Sequence, residues 1–247
     1  MASTAAVHTI RVSGHSFRVT HTDGHPLARP NETDRITLAP GERIDAEIFA
    51  SGREGQRFEM ASGRKELGIS IPIVYGEGSV PAVTSPFVPP RPRAYLPAPP
   101  DRPDFALELS SAMGMVGGEG MMMGGMMMGG GSNALRWTIN GKSYPETARL
   151  DVPVGEVITM RIRNRDMMSM MMGHRMDHPI HLHGTFFQVL SINGQAPMDE
   201  LWKDTIPVPS GGYVDIAFVM AKPGDWLLHC HIIDHEDGGM MSVIRAN

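Results

Sequence analysis

One cysteine, Cys230, stands among 247 residues, so no internal disulfide framework holds this chain together. No run of about 18 apolar residues occurs, and the sequence therefore offers no membrane-spanning helix. The opening "MASTAAVHTIRVSG" lacks the basic and long apolar regions of a secretory signal peptide. Basic residues are too few for a nucleic-acid footprint: 22 Lys and Arg face 27 Asp and Glu, a formal net charge of −5. What is plentiful is turn chemistry. With 28 glycines, 20 prolines and 41% hydrophobic residues, the composition suits a β-rich protein of one large or two modest domains.

The chemistry is concentrated around the single cysteine. His229, Cys230 and His231, followed by His235 and Met240, occupy "LLHCHIIDHEDGGMM", and His178, His181 and His183 occupy "DHPIHLHG" upstream. A soft thiolate, borderline imidazoles and a weak thioether form the ligand set of a blue-copper centre. Strand parity divides these residues, because side chains two apart share a face. His178, Cys230, His235 and Met240 can close around one metal. His181, His183, His229 and His231 form an all-imidazole set on the other side of the same two strands. Cys230 is covalently adjacent to two members of that second set, which gives electrons a short through-bond route. Each residue also has a plainer reading. A lone cysteine is most often a small buried apolar residue, an isolated His-x-His is weak evidence for metal, and structural zinc prefers four tetrahedral ligands, often several of them cysteine. Two parity-consistent clusters together outweigh those readings. Met241 competes with Met240 for the axial place, and spacing favours Met240.

"HPIHLHG" and "HCHIIDHEDGGMM" resemble the last two copper signatures of the multicopper oxidases, the laccase and bacterial copper-oxidase group, with a match at every ligand position. The resemblance implies that His178, Cys230 and His235 bind a type 1 copper with Met240 axial. It implies that His181 binds the type 2 copper, and that His183, His229 and His231 bind the type 3 pair. Glu236 resembles the family's proton-donating acid for oxygen reduction, and Cys230 its electron conduit. Asp177, Asp234 and Asp237 are placed in sequence to hold ligating imidazoles from outside, with a solvated acidic loop the plainer reading for Asp237. In such a family single electrons from a small donor, cuprous ion or a phenol, pass to dioxygen. The resemblance is incomplete. A trinuclear site draws half its histidines from an N-terminal domain, and His8, His15, His21 and His25 are not arranged as His-x-His. The rest is expected from a missing N-terminal cupredoxin domain or a partner chain. A periplasmic or extracellular location is what the resemblance implies.

The expected fold is all-β: one complete Greek-key β-sandwich of cupredoxin type, preceded by part of another. Residues 1–71 alternate in short runs, with an Asp23-Gly24 turn and a segment, "LAPGERIDAEI", resembling the closing part of a middle cupredoxin domain. The first strands of that sandwich are expected to lie before residue 1, which makes Met1 read as an internal start or a gene-prediction artefact. His15, His21 and His25 read there as loop and surface residues. Residues 72–133 read as a proline-rich connector and a Gly/Met insert. Its methionines, with those of "MMSMMMGHRM", are either adaptable apolar filler or soft recruiters of Cu(I). Residues 134–247 read as the complete copper-binding domain, with Phe186, Phe187, Trp226 and Leu228 as packing. The functional expectation is the C-terminal part of a multicopper oxidase. Alternatives are a single type 1 copper electron carrier or copper-binding protein, or an inactive truncated product.

Overall fold

Short alternating runs in the N-terminal part become seven strands in a computed structural model that describes residues 6–63, 68–77, 98–99, 101–113, 135–166 and 176–247. They are β1 (His8–Val12), β2 (Phe17–Thr22), β3 (His25–Thr33), β4 (Ile36–Leu38), β5 (Ile44–Ile48), β6 (Arg57–Ser62) and β7 (Ser70–Val74). Two small sheets result, ordered β4-β1-β6-β7 and β3-β2-β5. Val12, Phe17, Val19 and Ile36 form the buried centre of this unit. Asp23 (φ 48) and Gly24 (φ 83) are both left-handed, the geometry that lets a two-residue turn follow the strand twist between β2 and β3.

The C-terminal domain is built from β8 (Phe105–Met113), β9 (Leu135–Ile139), β10 (Leu150–Val152), β11 (Val157–Asn164), β12 (His178–Leu182), β13 (Phe187–Ile192), β14 (Trp202–Lys203), β15 (Thr205–Val208), β16 (Tyr213–Val219), β17 (Gly224–Cys230), a short helix α1 (Ile233–Asp237) and β18 (Met241–Ala246). Its sheets run β14-β13-β16-β11-β8-β9 and β10-β18-β17-β12-β15. Their inner faces meet in one core that includes Phe187, Phe218, Ile216, Leu228 and Cys230. Each large apolar side chain so buried contributes roughly 1.5–3 kcal/mol.

Two strands reach into the segment 72–133. β7 extends to Val74, and β8 pairs in parallel with β11 and antiparallel with β9. Leu107 and Leu109 of β8 are fully buried in the core. The domain therefore begins near Asp104, whose carboxylate accepts hydrogen bonds from the Thr159 backbone N–H and hydroxyl. The strand "FALELSSAM" lies between a proline-rich and a Gly/Met-rich stretch, whose compositions hid its alternation. The methionine runs at 121–123, 126–128 and 167–172 lie outside the described residues.

One consequence of this order positions the site. β12 lies between β17 and β15, with Ile180 opposite Cys230 and His181 opposite His229. Among the described residues, no helix is long and apolar enough to cross a membrane.

Candidate metal centre

The inward parity of β12 and β17 carries His178 and Cys230 into the core, and α1 brings His235 back over them. All three are buried. His178 Nδ1 lies 3.1 Å from His235 Nδ1, and Cys230 Sγ lies 3.5 Å from His235 Nδ1 and 3.9 Å from His178 Nδ1. Three ligands about 2.0–2.3 Å from one ion would have edges of about 3.5–4 Å. The observed triangle is close to that size, so the donors present fit a trigonal copper site of His2Cys type. Among the described residues it is the one group of three such side chains close enough to hold a metal ion. Met240 is fully buried beside it, its carbonyl accepting the Cys230 N–H (3.0 Å) and its N–H donating to the His235 carbonyl (2.9 Å). Met241, on β18, is half-buried and pairs with His229 of β17.

Burial shapes the protonation of this triad. It pushes the Cys230 thiol from its ordinary 9.0 to about 12. Burial, then repulsion from His178, takes His235 from 6.5 to about 3. Both groups are therefore neutral at pH 7, and a metal entering the pocket must expel the thiol proton. Trp137 stacks on His235 with ring centroids 3.6 Å apart and meets His178 edge-on at 5.5 Å. On the far side of His178, the buried Nε2 has no hydrogen-bond partner among the described residues, and the Asp166 carboxylate oxygen Oδ2 stands 3.6 Å away. Asp166 also accepts a hydrogen bond from Ser111.

The opposite parity assembles the imidazoles. His183 Nε2 and His229 Nε2 face each other at 3.0 Å. The His181 ring lies 4.7 Å from that of His183, 5.6 Å from His229 and 5.7 Å from His231. His181 Nδ1 donates to the Asp204 carbonyl (2.9 Å), with Thr205 Oγ1 at 3.0 Å. His229 Nδ1 donates to the Cys230 carbonyl (3.0 Å), with Glu236 Oε2 3.3 Å away. Holding the proton on Nδ1 leaves Nε2 of both rings open to a metal. Burial, then repulsion from His181, lowers His183, and burial lowers His229 against the pull of the Cys230 carbonyl and Glu236. Such rings stay neutral and keep their lone pairs.

The glycine ending "HPIHLHG" has a steric reason. Gly184 is left-handed (φ 81), and a Cβ there would come within 2.1 Å of the Trp226 ring. Phe187 and Leu228 are buried and Trp226 packs against the core, whereas Phe186 lies at the surface against His25. The acids expected from sequence divide. Glu236 reaches His229, but Asp177 accepts from the Ser210 N–H instead of a ligand. The carboxylate beside His178 is Asp166, and the groups holding His181 belong to Asp204 and Thr205. Sequence reasoning missed all three, because none lies within a histidine motif.

Comparison with known proteins gives the same reading. A multicopper oxidase family model matches residues 122–247, and another matches residues 1–70. Multicopper oxidase MmcO of Mycobacterium tuberculosis is 31% identical over 243 residues, covering 94% of this chain and 42% of that protein. A Staphylococcus aureus multicopper oxidase is 39% identical over 113 residues, which is 44% of this chain and 24% of the relative. A laccase structure from Pediococcus acidilactici superposes with a TM-score of 0.73 at 26% identity, covering 99% of this chain and 48% of that one. The chain thus spans less than half the length of each of these relatives. By the match over its C-terminal half and the two histidine motifs within it, the chain belongs to the multicopper oxidase family.

Proposed function

We propose that this chain is the electron-accepting and part of the oxygen-reducing apparatus of a copper oxidase. The observation that carries the reading is the pairing of two sites across β12 and β17. A His178–Cys230–His235 triad lies inside, and four imidazoles lie outside, joined through the Cys230 backbone. His178, Cys230, His235 and the Met240 thioether would hold a copper here, which would supply one-electron redox chemistry, the soft thioether favouring the reduced state. The His229–Cys230–His231 peptide is the conduit to the second set, where His181 would hold a type 2 copper and His183, His229 and His231 a type 3 pair. Glu236 stands against His229 Nδ1 at the edge of the imidazole set and would serve as the proton donor for oxygen reduction. Trp137 and the surrounding core exclude water from the triad.

Four imidazoles are half of a trinuclear set, so the remaining ligands come from a further cupredoxin domain or a partner chain. The donor is a small reductant, a phenol or cuprous ion, the acceptor is dioxygen, and the setting is periplasmic or extracellular. A one-copper carrier needs only the triad, and the retained imidazole set disfavours it. The test is a visible and EPR spectrum of the copper-loaded chain with copper counted per protein. An intense blue band with about one copper per chain supports the triad. A further type 2 signal with about four coppers means that self-association completes the oxygen site. No blue band refutes the reading.

A further inference from the structure

We infer that an ion cluster shared between the N-terminal unit and the C-terminal domain positions the imidazole set, with Asp23, Glu42, Arg43, Lys203 and Asp204 as positioning residues. Lys203, on β14 of the C-terminal domain, is buried with its Nζ 3.1 Å from Asp23 and 3.0 Å from Glu42. Asp23 occupies the left-handed turn between β2 and β3 and is itself buried. Its carboxylate accepts the backbone N–H groups of Arg43 (2.8 Å), Asp204 (3.2 Å) and Thr205 (3.3 Å). Glu42 is held in turn by the Ala39 N–H at 2.8 Å. The Arg43 guanidinium spans the Gly41 carbonyl (2.9 Å), the Asp23 carbonyl (3.2 Å) and both carboxylate oxygens of Asp204.

Asp23, Glu42 and Arg43 all reach residues 203–205, and those residues hold His181. The Asp204 carbonyl accepts from His181 Nδ1. Thr205 Oγ1 donates to Asp204 Oδ1 at 2.8 Å, which turns its lone pairs toward the same ring nitrogen. The other end of the set is touched directly. A Cβ on Gly41 (φ 85) would stand 2.6 Å from the His231 ring and 3.0 Å from Thr205 Cγ2. The N-terminal unit therefore grips His181 through charge and His231 through contact. The triad on the opposite face rests on Trp137 and α1.

A buried lysine between two carboxylates is a poor source of stability, since desolvation offsets most of the attraction. Charge-assisted bonds do fix direction, and a ligating imidazole needs its distal nitrogen fixed. The geometric claim concerns the metal-free chain. Only its consequence for copper rests on the ligand assignment of His181.

The experiment compares wild type with Arg43→Gln, Lys203→Met and Lys203→Arg in the full metal-free chain. Long-range proton–nitrogen NMR reads the imidazole tautomers, with His178 and His235 as internal controls. Wild type should show His181 protonated on Nδ1. Arg43→Gln and Lys203→Met should mix its tautomers while leaving both controls unmoved, and Lys203→Arg should restore most of the signature. On copper titration the same two variants should weaken non-blue copper binding roughly tenfold or more, the usual effect of losing an outer partner, with the blue band retained. Wild-type tautomers in Arg43→Gln and in folded Lys203→Met would overturn the inference. So would equal disturbance of His178 and His235, which would reduce the cluster to general support.

Discussion

Acidifying the metal-free chain should destabilise it, in part through His235. Burial holds this imidazole at about 3 when folded, against 6.5 when unfolded. Between those values the unfolded state binds the extra proton and the folded state does not, so stability falls as pH falls from 6.5 toward 3. At ~1.36 kcal/mol per pH unit the loss is about 2 kcal/mol at pH 5, and about 5 kcal/mol once pH 3 is passed. That is a large share of a typical folding free energy of about 5–15 kcal/mol. Urea unfolding at pH 7, 6, 5 and 4 measures it, and His235→Gln supplies the control because Gln cannot titrate. His183 and His229 are lowered in the same direction and persist in the control. The difference between the two curves therefore isolates His235. Equal loss in both proteins, or a wild-type stability unchanged between pH 6.5 and 5, would refute the reasoning.

Cys230 is buried with its thiol near 12, so a thiol reagent at pH 8 should react with the folded metal-free chain on the order of a hundredfold more slowly than with the urea-unfolded chain. Comparable rates would show an open pocket. Trp137→Ala removes the ring stacked on His235 and should cost about 3–5 kcal/mol in unfolding free energy. A cost below about 1 kcal/mol would mean that the ring is not core packing. Gly184→Ala should lower the thermal midpoint, because its left-handed φ and the Trp226 ring both oppose a Cβ. Adding Trp226→Ala should recover part of that loss by removing the collision, and no recovery would place the whole effect in the backbone.

The histidine motifs were legible because their signal is local. Ile180 faces Cys230 and His181 faces His229, as the alternation of "HPIHLHG" and "LLHCH" requires. Asp23-Gly24 and Asn140-Gly141 likewise turn where sequence places turns, each with both residues left-handed. β8 was hidden by its neighbours' composition, and its place between β11 and β9 depends on a parallel pairing that no local pattern encodes. Asp166, Trp137 and Asp204 were missed for a similar reason. Each acts on a histidine that comes from a different stretch of chain.

The sequence by itself determined which donors are present and which of them share a face, because side-chain parity repeats every two residues and needs no partner. Only the tertiary structure decided which ring nitrogen each histidine offers, how dry the triad is, and that the N-terminal unit reaches His181 and His231. Those properties arise where strands distant in sequence are stacked together. Desolvation and hydrogen bonding there depend on everything packed around a group, and not on its neighbours along the chain.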